Sequence, residues 1–221
     1  MISVVGEVFP LAVGVALSPL PVIAVLVLLP APAGSAGGVG FLVGRLAGVG
    51  AIAGVVSVLS ELFAEATTES STVSRVLRIV LGLGLMAWAI VKWRGRPRGD
   101  EAEIPKWMAS IDGMSTWGAT RLGVIISVAN PKELAFGIGA GLTIGAAGLA
   151  VGPTVIAVAI YTVIACLTVA LPVLAALVGG ARMAEPLASA REWMVRNNAA
   201  VISVVLLVIG AILVGEGLQG P

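Results

Sequence analysis

A lysine and a glutamate stand side by side within the apolar run Val124–Gly139, VIISVANPKELAFGIG, directly after an asparagine and a proline. A charge at the centre of a bilayer costs about 2.5–3.5 kcal/mol on insertion scales, so such side chains line a cavity or find a partner. Asparagine is a preferred helix N-cap, and proline is favoured at the first helical position. Asn130 and Pro131 therefore read as a helix start, with Glu133 at the third position, where the carboxylate of a capping box belongs. The segment ALSPLPVIAVLVLL repeats the signal at Ser18 and Pro19, with a further proline at Pro21.

A start signal inside a spanning segment implies an interrupted helix. Two such helices, entering from opposite sides, would turn their positive dipole ends and unpaired amides to a common centre suited to an anionic group. Lys132 adds a full charge there, and Arg45 faces the same cavity from a neighbouring span. Glu133 serves as a cap or a proton-binding group rather than as the partner of Lys132, because adjacent helical residues do not face each other. Tyr161, Thr162 and Ser57 can hydrogen-bond across helices or line a path, with a packing role as the favoured alternative for each. The substrate-binding candidates are thus Ser18, Pro19, Pro21, Arg45, Asn130, Pro131, Lys132, Glu133, Tyr161 and Thr162. A second reading stays open. If the span starts at Pro131, Thr120–Asn130 lies at the membrane surface, Lys132 and Glu133 are interfacial, and Arg45 snorkels to the headgroups.

The elements that must position these residues follow from composition. Of the 221 residues 58% are hydrophobic and 11% charged, against about 25% charged in soluble domains. The chain reads as an all-α integral membrane protein forming a single transmembrane domain, residues 1–221. Its 29 glycines suit close helix packing in lipid. A net charge of +1 excludes a nucleic-acid partner, which would need a clustered basic face. With one cysteine, Cys166, and no histidine, neither an intramolecular disulfide nor a Cys/His metal site can form, so no metal or cofactor is expected. The N-terminal run has no basic residue before Arg45 and reads as a retained helix rather than a cleavable signal.

A span needs roughly 20 mostly apolar residues. Six are expected, at about 4–30, 39–59, 73–93, 120–147, 153–177 and 199–217, with Ala31–Gly38 (APAGSAGG) as a turn. Lys92, Arg94, Arg96, Arg98, Lys106 and Arg121 follow the third span, and Arg182, Arg191 and Arg196 follow the fifth. By the positive-inside rule that side is cytoplasmic, which places both termini and the acidic ELFAEATTE loop outside. The tryptophans (Trp88, Trp93, Trp107, Trp117, Trp193) fall near the cytoplasmic ends, as an aromatic belt does. Within the cytoplasmic loop 94–119, Ile104, Trp107, Met108 and Ile111 share one helical face, predicting an amphipathic helix on the inner membrane surface.

Spans one to three and four to six look like two copies of one plan, each opening with a helix broken at proline. Glycines recur every fourth residue at Gly40, Gly44, Gly48 and at Gly137, Gly141, Gly145. Because three spans form a half, the second copy enters the membrane inverted, a 3+3 inverted repeat of the transporter kind.

ALSPLPVIAVLVLL, then GFLVGRLAG, PKWMASIDG and ISVANPKELAFGIGAG resemble, in order and spacing, the signature segments of the GAP family. These actinobacterial proteins are named for addressing glycolipids, peptidoglycolipids and sulfolipids to the cell surface, and they belong to the lysine exporter (LysE) superfamily. The resemblance covers nearly the whole chain. It implies a six-helix inverted-repeat protein of the bacterial plasma membrane that helps move lipids or small molecules across it. It places Ser18, Pro19 and Pro21, and Asn130, Pro131 and Lys132, at the family's motif positions; Glu133 departs from the polar neutral residue expected after the lysine. Branches that relay electrons through membrane cysteines or export metals through histidine-rich loops lack their residues here.

The expected function is a transporter or export factor moving an amphipathic, anionic lipid, glycolipid or small molecule by alternating access. Alternatives are an exporter of amino acids or other small solutes, an intramembrane enzyme acting on a hydrophobic substrate, and an assembly factor docking a larger lipid exporter. Expected partners are membrane lipids, the substrate, and a lipid-export assembly or a second copy of the chain. No phosphate-binding loop of the Walker type is present, so the chain itself does not hydrolyse ATP.

Overall fold

A computed structural model describes residues 1–31, 33–60, 72–95 and 114–219, and every regular element among them is helical. In chain order these are α1 (Ile2–Ala16), α2 (Pro19–Leu28), α3 (Gly34–Val58), α4 (Thr72–Arg94), α5 (Thr116–Ala129), α6 (Pro131–Ala146), α7 (Val151–Gly179), a 3₁₀ turn (Gly180–Met183) and α8 (Ala184–Gln219). The acidic ELFAEATTE loop and the amphipathic helix expected around Trp107 lie outside the described residues. α3 and α7 are each long and apolar enough to cross a membrane, and α1 with α2 makes a third such unit, bent by 53° at the break.

Both interruptions have one local cause. The ring of a proline clashes with a helical conformation at the residue before it and pushes that residue to extended geometry. Ser18 accordingly sits at φ −79°, ψ 113°, and Asn130 at φ −83°, ψ 110°, with Pro19 and Pro131 opening the next helix. Pro10 and Pro172 lie inside α1 and α7 without ending them.

Two boundaries differ from the sequence reading. The turn after α2 is shorter than Ala31–Gly38, because α3 already begins at Gly34, whose φ of 51° makes the corner. The last helix begins at Ala184 rather than near Ala199, its polar first turns continuing into the apolar tract without a break. Pro186 is tolerated there because a first-turn amide has no intrahelical partner to lose.

α3 is the hub, packed on α5, α6 and α7. Gly40 lies against Thr116, Gly44 against Thr120 and Gly48 against Ser127; farther along, Ile52 meets Gly137, Val56 meets Gly141 and Ser60 meets Gly145. Both glycine ladders are therefore spent on one parallel seam between α3 and the α5–α6 pair. The approach is backbone to backbone: a Cβ at Gly44 would collide with the carbonyl of Thr120, and one at Gly123 with that of Phe41. α7 crosses α3 in the opposite sense, with Gly38 near Val173 and Gly54 near Val158. α1 opposes α6, with Gly14 against Phe136 and Gly139 near Leu11. α4 and α8 pack chiefly on each other, and α8 also touches α2. Two apolar clusters result, one around α2 with Phe41, Val169 and Val173, the other around α1 with Val49, Ile144 and Tyr161.

Candidate functional site

The two helix breaks meet. Asn130 Nδ2 approaches Ser18 Oγ at 3.5 Å across 112 residues of sequence. Asn130 is the hub of the contact: its Oδ1 accepts the Lys132 amide at 3.1 Å, capping α6, and its Nδ2 also donates to Glu133 Oε1 at 3.3 Å. Glu133 thus bonds the side chain of its cap, not the cap's backbone amide as a capping box would.

Its other carboxylate oxygen accepts from Arg45 Nη1, forming an ion pair between α3 and α6. Arg45 is 1% exposed and Glu133 2%. Two charges buried at this depth cost several kcal/mol each unless paired and hydrogen-bonded. Ser127 Oγ, fully buried on α5, accepts from Arg45 Nη1 at 3.2 Å while donating to the Gly123 carbonyl at 2.9 Å. Arg45 and Glu133 are both turned into the protein interior, and each is the other's ionic partner.

Lys132 points away from this pair. Its ammonium donates to the Gly14 carbonyl at 2.8 Å, at the carbonyl end of α1. That end has four free carbonyls, and all are used: Leu17 N–H donates to Val13, Ser18 N–H to Val15, Lys132 to Gly14, and Thr168 Oγ1 to Ala16 at 2.7 Å. A cation there also complements the negative end of the helix dipole. The sequence places Lys132 among amide ends; the fold sets it on carbonyls instead.

The amide end of α2 is poor in donors, because two of its first three residues, Pro19 and Pro21, carry no N–H. Ser18 makes no side-chain cap, and both prolines are buried. The anion facing the amide end of α6 is Glu133 itself. Arg45, Lys132 and Glu133 together leave one surplus positive charge, carried by a half-buried Lys132 with a single hydrogen bond, next to Asn130 and the exposed Pro131.

Thr162 and Ser57 stand apart. The Thr162 hydroxyl is used by the Val158 carbonyl of its own helix at 2.7 Å, and Ser57 likewise bonds Gly54. Tyr161 is fully buried, facing Gly137 one turn beyond Glu133, and among the described residues neither its hydroxyl nor Arg45 Nε has a hydrogen-bond partner. Ser127 and Thr168 escape sequence reasoning. Their one signal is a lone hydroxyl in an apolar run, which is equally a mark of self-bonded helix residues such as Thr162.

No curated protein and no solved structure matches this chain. A family model described as Sap, sulfolipid-1-addressing protein, matches residues 8–219, in agreement with the resemblance carried by the four motif segments. The match spans nearly the whole sequence, both helix breaks and every residue of the polar cluster included. The chain belongs to the Sap, sulfolipid-1-addressing protein, family.

Proposed function

We propose that this protein moves an anionic, amphipathic lipid of the sulfolipid or glycolipid class across the plasma membrane by alternating access. In this reading it has six spans in two inverted halves with both termini outside, α1–α2 and α5–α6 each crossing once. The relative directions of the helices support it: α3 runs with α5–α6 and against α7, and α1 runs against α6, as alternating spans do. The halves also exchange partners, the second helix of each packing on the interrupted helix of the other, α3 on α5–α6 and α7 on α1–α2.

The observation that carries the proposal is the meeting of the two breaks at Ser18 and Asn130, beside buried charges with one positive charge in excess. Such a junction holds an acidic headgroup at Lys132 and can hinge, because few backbone bonds cross it. The small-solute alternative for cations is disfavoured by the same geometry: the Glu133 carboxylate is consumed by Arg45 and is not presented to a substrate. The test is flipping of a labelled sulfated glycolipid in vesicles containing the purified protein. Lys132→Ala and Asn130→Ala should each slow flipping roughly tenfold or more, a barrier change of about 1.4 kcal/mol. Unchanged rates in both would reject the site.

A further inference from the structure

Away from the polar cluster, a groove of about 330 Å³ opens between α4 and α8, lined by Ala89, Ile90, Trp93 and Arg94 on one helix and Ser203, Val204 and Leu207 on the other. Ala89 and Ser203 are 3% exposed and form its floor; both are small, which leaves the space unfilled. The walls face outward, with Ile90 50%, Val204 53% and Leu207 43% exposed. The volume is at the lower end of roughly 300–1,000 Å³, the range of ligand pockets. At one end of this apolar channel lies Arg94, the last residue of α4, exposed and without an ion-pair partner among the described residues.

We propose that this groove is a side-on binding site for an anionic membrane lipid, its acyl chain on Ile90, Val204 and Leu207 and its headgroup at Arg94. The shape and the charge select this occupant. An apolar trough ending in one cation complements an amphiphile with one acidic head better than a zwitterion, whose own cation it repels, or an apolar helix, which has no use for the charge. Trp93 stands beside Arg94, the pairing of aromatic ring and cation that marks headgroup level. The inference rests on the membrane placement proposed above, but not on the Lys132 cluster, which the groove does not share a residue with.

The test uses the full chain in lipid nanodiscs with a photoreactive amino acid in place of Val204. Nanodiscs of phosphatidylcholine containing phosphatidylglycerol should yield crosslinks enriched about fivefold in phosphatidylglycerol, the preference expected from one basic residue near the surface. Arg94→Gln should abolish the enrichment while leaving crosslinking itself, and Ala89→Leu should lower crosslinking to both lipids by filling the floor. Circular dichroism and thermal unfolding check that each variant is folded, and Arg94, being exposed, gives a variant that folds. Equal capture of the two lipids by the unsubstituted chain, enrichment that survives Arg94→Gln, or capture of a second copy of the chain would each overturn the proposal. Crosslinking needs no turnover, so its outcome is separate from that of the Lys132→Ala flipping assay.

Discussion

Arg45 and Glu133 behave as one unit, and their value lies in what happens when one is removed. Glu133→Leu leaves the Arg45 guanidinium buried among apolar helices without a counter-charge, with Ser127 as its remaining acceptor, and should cost about 3–5 kcal/mol. The double change Arg45→Met with Glu133→Leu removes both desolvated charges and should recover most of that loss. Thermal unfolding in detergent measures both, and additive losses in the double variant would show that the two do not interact. Flipping should fall in either case, which separates the functional contribution of the pair from its structural one. That these two side chains carry unusual weight is legible from their residue types alone. That they are partners is not, because 88 residues separate them, and neighbouring Lys132 is an equally charged alternative.

At the scale of elements, the breaks belong to local chemistry and their repair to tertiary structure. Ser-Pro and Asn-Pro dictate extended geometry at Ser18 and Asn130 wherever the chain goes. The carbonyls freed at the end of α1 are then closed by Lys132 from α6 and Thr168 from α7. Thr168→Val keeps shape and removes the donor to Ala16, so it should destabilise by about 1–3 kcal/mol, the cost of an unsatisfied buried carbonyl. A comparable Thr162→Val, whose hydroxyl bonds only within its own helix, should cost well under that. Equal effects in the two, measured by denaturation in the same detergent, would contradict the capping role.

For the molecule as a whole, the orientation expected from Lys and Arg places Arg182 inside and Ile2 outside. In a Cys166→Ser background, Arg182→Cys should react with a membrane-impermeant maleimide only in inside-out vesicles, and Ile2→Cys only in right-side-out ones. The reverse pattern would invert the topology and with it the direction of the proposed export.

The amino-acid sequence by itself determined the helical, membrane-like character, the two proline breaks and the residue types at the polar junction. These follow from hydrophobic composition, from steric clash before proline and from the cost of charge in lipid, all of which act over a few neighbouring residues. Only the tertiary structure decided that Arg45 answers Glu133 and that Lys132 closes α1 instead of crowning an amide cluster. It alone set the glycine ladders on one α3–α5–α6 seam. Those choices depend on which helices lie side by side and in what register, and register is decided by backbone approach at residues such as Gly44 and Gly123, whose partners are distant in sequence.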